Sequence, residues 1–311
     1  MTARTRVSTQ ASTRVALQFP PSTRQTGWPL RAPLTLAVAL CALAGTPSAR
    51  ADDTTPAQAA ASADTGANGN GNGNGNGSVA APESKWKIGV GPGLVVTPKY
   101  PGSRQLSYIP FPSLDISYDD RFFSQGPDVL GVNVLRGPAY HLGAALSFDF
   151  QSRKESDDPH LHGLGDVNGG PKLKLFADYT VWAFTGSVAL YQDIAGHHQG
   201  TTISTDLVAS APVGGWLFSV GPGFTWANGT YMRTFFGVDP QQSAASGLPV
   251  YNASAGIRDV HMNAMVTYDF SRHWDGSIAA TFGRLKHSAG HSPITEKRFE
   301  LNTLASVNYK F

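Results

Sequence analysis

The sequence predicts an all-β protein: a transmembrane antiparallel β-barrel of about 12 strands, with a disordered N-terminal periplasmic tail. Three observations carry the prediction. From Lys85 onward, apolar and polar residues alternate with period two in segments of about ten to thirteen residues, long enough for a tilted strand to cross the hydrocarbon layer. Aromatics (Trp86, Tyr118, Phe148, Trp216, Tyr268, Trp274) sit near the segment ends, as interfacial girdles require. The last segment alternates without a break and stops on Phe311.

Residues 1–51 read as a secretory signal peptide. They hold six arginines and no acidic residue. Leu34 to Ala44 form an apolar core too short for a permanent anchor, and Ala49-Arg50-Ala51 gives a small-x-small cleavage site. The only cysteine, Cys41, lies in that core, so the expected mature chain forms no disulfides. Removing the six arginines leaves 18 Lys+Arg against 22 Asp+Glu, a net charge of −4 in place of +2. The basic whole-chain balance therefore does not point to nucleic acid. Residues 52–84 are mostly Ala, Asp, Thr, Gly and Asn, with Asn-Gly repeated from Asn68 to Gly77. Such a stretch buries too little apolar area to offset its ordering entropy and is expected to be a disordered linker. Its root-mean-square span would be roughly 30 Å.

Residues 85–311 are the expected barrel. The final segment places Phe299, Leu301, Ala305, Val307, Tyr309 and Phe311 on one face and Glu300, Asn302, Ser306, Asn308 and Lys310 on the other. Tyr140 to Phe150, Leu173 to Val181, Trp216 to Trp226 and Val260 to Phe270 repeat the form, and Trp86–Val96 and Leu106–Tyr118 supply two more strands. Short turns fall near residues 136–138, 182–184, 212–215 and 271–273, and longer connections at 152–169, 196–201, 228–255 and 287–298. In outer-membrane barrels the short turns face the periplasm and the long loops face outward. For both ends of the barrel to be periplasmic, residues 121–135 must supply two short strands turning at Gly126-Pro127-Asp128. The count is then twelve, even as closure requires.

Several ordered blocks carry a family resemblance: Tyr231 with Phe236-Gly237-Val238, Ser246-Gly247-Leu248-Pro249-Val250-Tyr251, Ala255-Gly256-Ile257-Arg258-Asp259-Val260, Arg284-Leu285, Ser292-Pro293-Ile294 and Tyr309-Lys310-Phe311. From about Trp86 to Phe311 the chain resembles the MipA/OmpV family, the lytic-transglycosylase-interacting outer-membrane barrels. The resemblance implies a Gram-negative outer-membrane location and a non-enzymatic scaffold, with a murein transglycosylase and a murein synthase as partners. It implies no catalytic residue. Outer-membrane lipid and the barrel assembly machinery are the other expected partners, and Tyr309 and Phe311 form the expected assembly signal.

Within the barrel, residues 228–255 form the longest connection and the least polar. Tyr231, Phe235, Phe236, Leu248 and Tyr251 are expected either to plug the mouth or to present a partner surface, since a loop so apolar does not extend freely into water. Two alternatives to a scaffold remain open at this point. Lys172, Lys174, Asp178, Asp149, Asp269, Glu300 and Lys310 fall on inward faces, so a narrow solute channel is one, although mixed charges more readily pair across a small lumen. His287, Ser288, His291, Ser292 and Glu296 supply hydrolase residue types in one loop, but a triad is recognised by geometry. His160 and His162 near Asp157 and Asp158, and the pair His197-His198, lack a diagnostic zinc spacing. No metal, cofactor or catalytic residue is expected.

Overall fold

The computed structural model describes residues 85–126 and 128–311. The signal peptide (1–51) and linker (52–84) expected from the sequence lie outside the described residues. Twelve antiparallel strands close on themselves: β1 (Trp86–Pro98), β2 (Leu106–Tyr118), β3 (Phe122–Gln125), β4 (Asp128–Arg136), β5 (Tyr140–Asp149), β6 (Gly170–Val181), β7 (Phe184–Asp193), β8 (Thr201–Val213), β9 (Trp216–Ala227), β10 (Gly256–Asp269), β11 (Trp274–Leu285) and β12 (Phe299–Lys310). Each strand pairs with its sequence neighbours. Closure comes from β1 on β12, with Gly89 opposite Lys310 and Val96 opposite Thr303. Three short helices lie in the connections: α1 (Gly229–Phe236) and α2 (Pro240–Ser246) between β9 and β10, and α3 (His287–His291) between β11 and β12.

The two faces of the wall differ as a membrane requires. Outward positions are large and apolar and remain exposed: Leu173 and Leu175 on β6, Phe218 and Val220 on β9, Ile278 and Phe282 on β11, Leu301 and Val307 on β12. Inward positions on the same strands are buried and polar, among them Lys172, Lys174, Thr225, Asn302 and Ser306. A one-residue slip would exchange these sets and turn lysine toward lipid, so the alternation itself fixes the register. At the short-turn end, rings cluster on the outer rim. Trp86 packs on Tyr118 at 4.8 Å between centroids, Trp216 on Tyr268 at 4.3 Å, and Tyr309 on Phe311 at 4.9 Å. Such amphipathic rings are suited to the headgroup level of a bilayer.

The region 121–135 does supply two strands, but they are unequal. β3 is only four residues long and turns into β4 at Gly126, which has a φ of +57° and so suits glycine.

The facing of the wall is directly testable. An Ile278→Arg variant places a charge against lipid midway along β11, at a cost of about 2–4 kcal/mol. Asn308→Arg points the same charge inward, beside Asp275, to which Asn308 already donates at 3.4 Å. On a cold-SDS gel, Ile278→Arg should lose the compact, heat-modifiable form while Asn308→Arg keeps it. Equal behaviour of the two would show that the register is wrong.

Candidate functional site at the capped end

Opposite the short turns, five connections (99–105, 150–169, 194–200, 228–255 and 286–298) fold together as a cap. α1 is the centre of it. Asn228 caps the helix by accepting from the Tyr231 N–H at 2.9 Å. Tyr231, Met232, Phe235 and Phe236 then fall on one face at helical spacing, and all four are buried. They form an apolar cluster with Val167, Ala227, Ala253, Leu285 and Ala289. A second cluster joins Tyr100, Leu161, Leu164, Val238 and Ile294. Every one of the long connections except 194–200 contributes an apolar residue to these clusters. That remaining connection is held by polar contacts, with Thr234 donating to the His198 carbonyl at 2.7 Å.

Polar groups bind the cap to itself and to the inner wall. Arg153 is only 1% exposed, and its guanidinium donates to the carbonyls of Phe235 at 3.1 Å and Leu164 at 3.3 Å. The Phe235 carbonyl is one of the last in α1, where helix carbonyls lack intrahelical donors and a cation is favoured. Burial pulls the Arg153 pKa down to about 10, so it stays charged at neutral pH. Ser292 donates to the Phe236 carbonyl at 2.7 Å, and Tyr251 to the Ser288 carbonyl at 2.9 Å. Burial raises the Tyr100 hydroxyl, with the neighbouring Glu296 adding to the effect, and that hydroxyl donates to Glu296 at 3.0 Å. The Tyr231 hydroxyl accepts from Arg258 at 2.9 Å and donates to Gln151 at 2.5 Å, and so anchors α1 to the wall.

Below the cap the inner wall is lined by ion pairs and hydrogen bonds between strands that are adjacent or next but one. Lys174 meets Asp128 at 2.5 Å, and Lys172 pairs with Asp149. His261 bridges Asp206 at 2.8 Å and Asp259 at 2.7 Å, and Arg258 meets Asp259 at 2.6 Å. Of the inward charges named from sequence, Lys310 bonds Asp269 at 2.6 Å, and Glu300 accepts from the Gly102 N–H at 2.5 Å. Sequence reasoning missed the Asp206–His261–Asp259 set. Its members are ordinary polar positions of alternating strands, and they meet only when β8 and β10 pair on either side of β9.

The candidate loop residues are placed as follows. Tyr231, Phe235 and Phe236 lie within the buried centre of the cap, while Leu248 and Tyr251 are half-buried at its edge. α2 precedes these last two. It starts on an Asp239 capping box with Gln242 and ends at Gly247, whose φ of 76° is the left-handed stop. A cleft of about 680 Å³ opens beside them, with Arg153, Asp166, His197, Arg233 and Tyr251 on its walls. Tyr309 and Phe311 lie at the opposite end, where the Phe311 N–H donates to Ile88 at 3.0 Å and the ring is 78% exposed.

The hydrolase residue types do share one loop, but their bonds run elsewhere. Ser288 shares a hydrogen bond with Ser254 at 2.9 Å, and His291 faces the His287 carbonyl at 2.8 Å. Of the loop histidines, His160 meets the Pro293 carbonyl at 2.7 Å, His197 the Gly169 carbonyl at 3.2 Å, and His162 lies 3.5 Å from the Glu155 carboxylate. Among the described residues, no group of three or more His, Cys, Asp or Glu is placed to hold a metal ion.

A closed antiparallel barrel with an apolar outer face and an ion-paired lumen defines a transmembrane β-barrel protein of the outer-membrane type. The family model for "MltA-interacting protein MipA" matches residues 90–311, and the chain belongs to that family. It is similar to the MltA-interacting protein of Escherichia coli (strain K12), at 23% identity over 246 residues, covering 75% of this chain and 93% of that one. The Shigella flexneri protein of the same name matches with the same figures. Among solved structures, the Vibrio cholerae outer-membrane protein OmpT aligns over 73% of this chain and 96% of its own, with 6% identity and a TM-score of 0.33. The Pseudomonas putida toluene transporter TodX aligns over 74% and 90%, with 9% identity and a TM-score of 0.34. At those scores neither neighbour bears on how this barrel works.

Proposed function

We propose that this protein is a non-enzymatic outer-membrane scaffold that holds murein-remodelling enzymes, a transglycosylase first among them, at its short-turn periplasmic end. The observation that carries the reading is the buried cap. Two apolar clusters and a buried arginine close the outward end of the barrel, with α1 as the plug. A general solute channel has no use for such an investment of apolar area. A rigid, closed barrel instead offers a fixed platform of short turns on its other side. The name of its relatives, MltA-interacting protein, supports a murein transglycosylase as the partner class.

Affinity capture of the full-length protein from crosslinked outer membranes tests the proposal. A murein transglycosylase should be recovered, and recovery should survive substitutions in the cap but fall when residues of the short turns, such as Trp182 and Arg272, are replaced. Capture that contains no murein enzyme would overturn it.

A further inference from the structure

The lipid-facing side of β11 and β12 can be measured against a bilayer. Trp274 faces Tyr309 at the short-turn end, and Arg284 faces Phe299 ten residues further along both strands. At about 3.3 Å per residue and a tilt of about 40°, such a run rises about 25 Å, the height of an outer-membrane barrel's apolar band. The outward side chains between the two rows include Ile278, Phe282, Leu301 and Val307, all apolar and exposed. Arg284 therefore stands where the band ends, at the headgroup level of the leaflet next to the cap.

The rest of its row is apolar. Val260 on β10 pairs with Arg284, and Phe224 on β9 pairs with Val260; both are exposed. The Arg284 guanidinium lies over the Phe299 ring, 5.2 Å from its centroid. A ring face accommodates the charge but leaves the five N–H donors without oxygen acceptors. Among the described residues Arg284 has no carboxylate partner.

Three further cations join it from the cap. Lys297 and Arg298 lead into β12 and Arg104 leads towards β2, and all three are exposed. Their two connections are tied together. The Glu296 and Lys297 N–H groups donate to the Gly102 carbonyl at 3.0 and 2.8 Å, and Arg104 Nε donates to the Glu296 carbonyl at 3.4 Å. The acidic neighbours are engaged elsewhere. The Glu296 carboxylate accepts from the Tyr100 hydroxyl and the Arg104 backbone N–H, and that of Glu300 accepts from the Gly102 N–H. Positive charge is thus left unbalanced directly above an apolar wall. Between Arg284 and Lys297 the surface is hollowed into a cleft of about 260 Å³, with Phe282, Phe299, Glu300 and Leu301 on its sides.

We infer that this cleft binds the phosphate headgroup of a membrane lipid, held by Arg284 and Lys297, with its acyl chains along Phe282 and Leu301. Guanidinium and ammonium donors suit phosphate oxygens, and basic side chains at the membrane surface attract anionic lipid. A soluble anion could meet the cations, but it has nothing to lay against the apolar wall beneath them. The inference stands apart from the scaffold reading, which rests on the cap and the short turns.

The test uses the full barrel in detergent micelles, with diphosphoryl lipid A as the probe and native mass spectrometry as the readout. The wild type should retain this lipid about tenfold more strongly than the same lipid stripped of its phosphates. Excess inorganic phosphate should not displace it. Arg284→Gln/Lys297→Gln should lose the preference and keep the heat-modifiable band, while Lys87→Gln at the short-turn end retains both. Should the double variant fail to fold, Lys297→Gln alone, in an exposed connection, should still weaken the preference severalfold. Equal retention of the two lipids by the wild type would overturn the proposal, as would an unchanged preference in the folded variants. Displacement by inorganic phosphate would assign the cleft to a soluble anion and overturn it as well.

Discussion

A Tyr231→Ala/Phe235→Ala double variant should lose the cap and keep the barrel. Both rings are at most 1% exposed, and they pack on one another at 4.6 Å between centroids. Truncating a buried aromatic costs about 3–5 kcal/mol through lost transfer energy and the cavity left behind. Here a second loss follows, because the Tyr231 hydroxyl ties Gln151 and Arg258 together and its removal leaves both partners short of a bond. The strand ladders draw little on this, since their backbone hydrogen bonds run between neighbours in the wall and only Ala227, Arg258 and Leu285 at the strand ends touch the two rings' cluster. Limited proteolysis from outside the vesicle should therefore cut the variant within 228–255 and leave the wild type whole. The heat-modifiable band of the barrel should be unchanged. Loss of that band in the double variant would mean that cap and wall form one cooperative unit.

The parts of this molecule legible in the sequence are those with a period. Alternation along β12 and β6 states which side chains meet lipid, and the need for an even count forces two strands into residues 121–135. That argument cannot state how long each strand is. Phe122–Gln125 reads like any other short apolar stretch, and only the pairing shows that β3 meets β2 over no more than Asp115 to Tyr118. The cap was legible in part for a similar reason. Tyr231, Phe235 and Phe236 stand out because the longest and least polar connection gathers its aromatic residues together. Tyr100, Leu161, Leu164 and Ile294 do not, since they are scattered over three mainly polar loops and meet only in space. Arg153 is the clearest case of a residue without a sequence signal. One arginine in a charged loop looks like a solvated side chain, yet it ends buried against the last carbonyls of α1.

The central claim is that the barrel is shut, and planar-bilayer conductance tests it most directly. The intact protein should be silent, because the cap closes one end and charged groups such as Lys174–Asp128 and Asp206–His261–Asp259 line the inner wall beneath it. A variant in which residues 229–251 are replaced by a short glycine linker loses α1, α2, the rings of the first apolar cluster and Val238 of the second. It should give steady single-channel conductance. If the intact protein already conducts like a general porin, and the deletion changes nothing, the barrel is a channel and the closed-scaffold account is wrong.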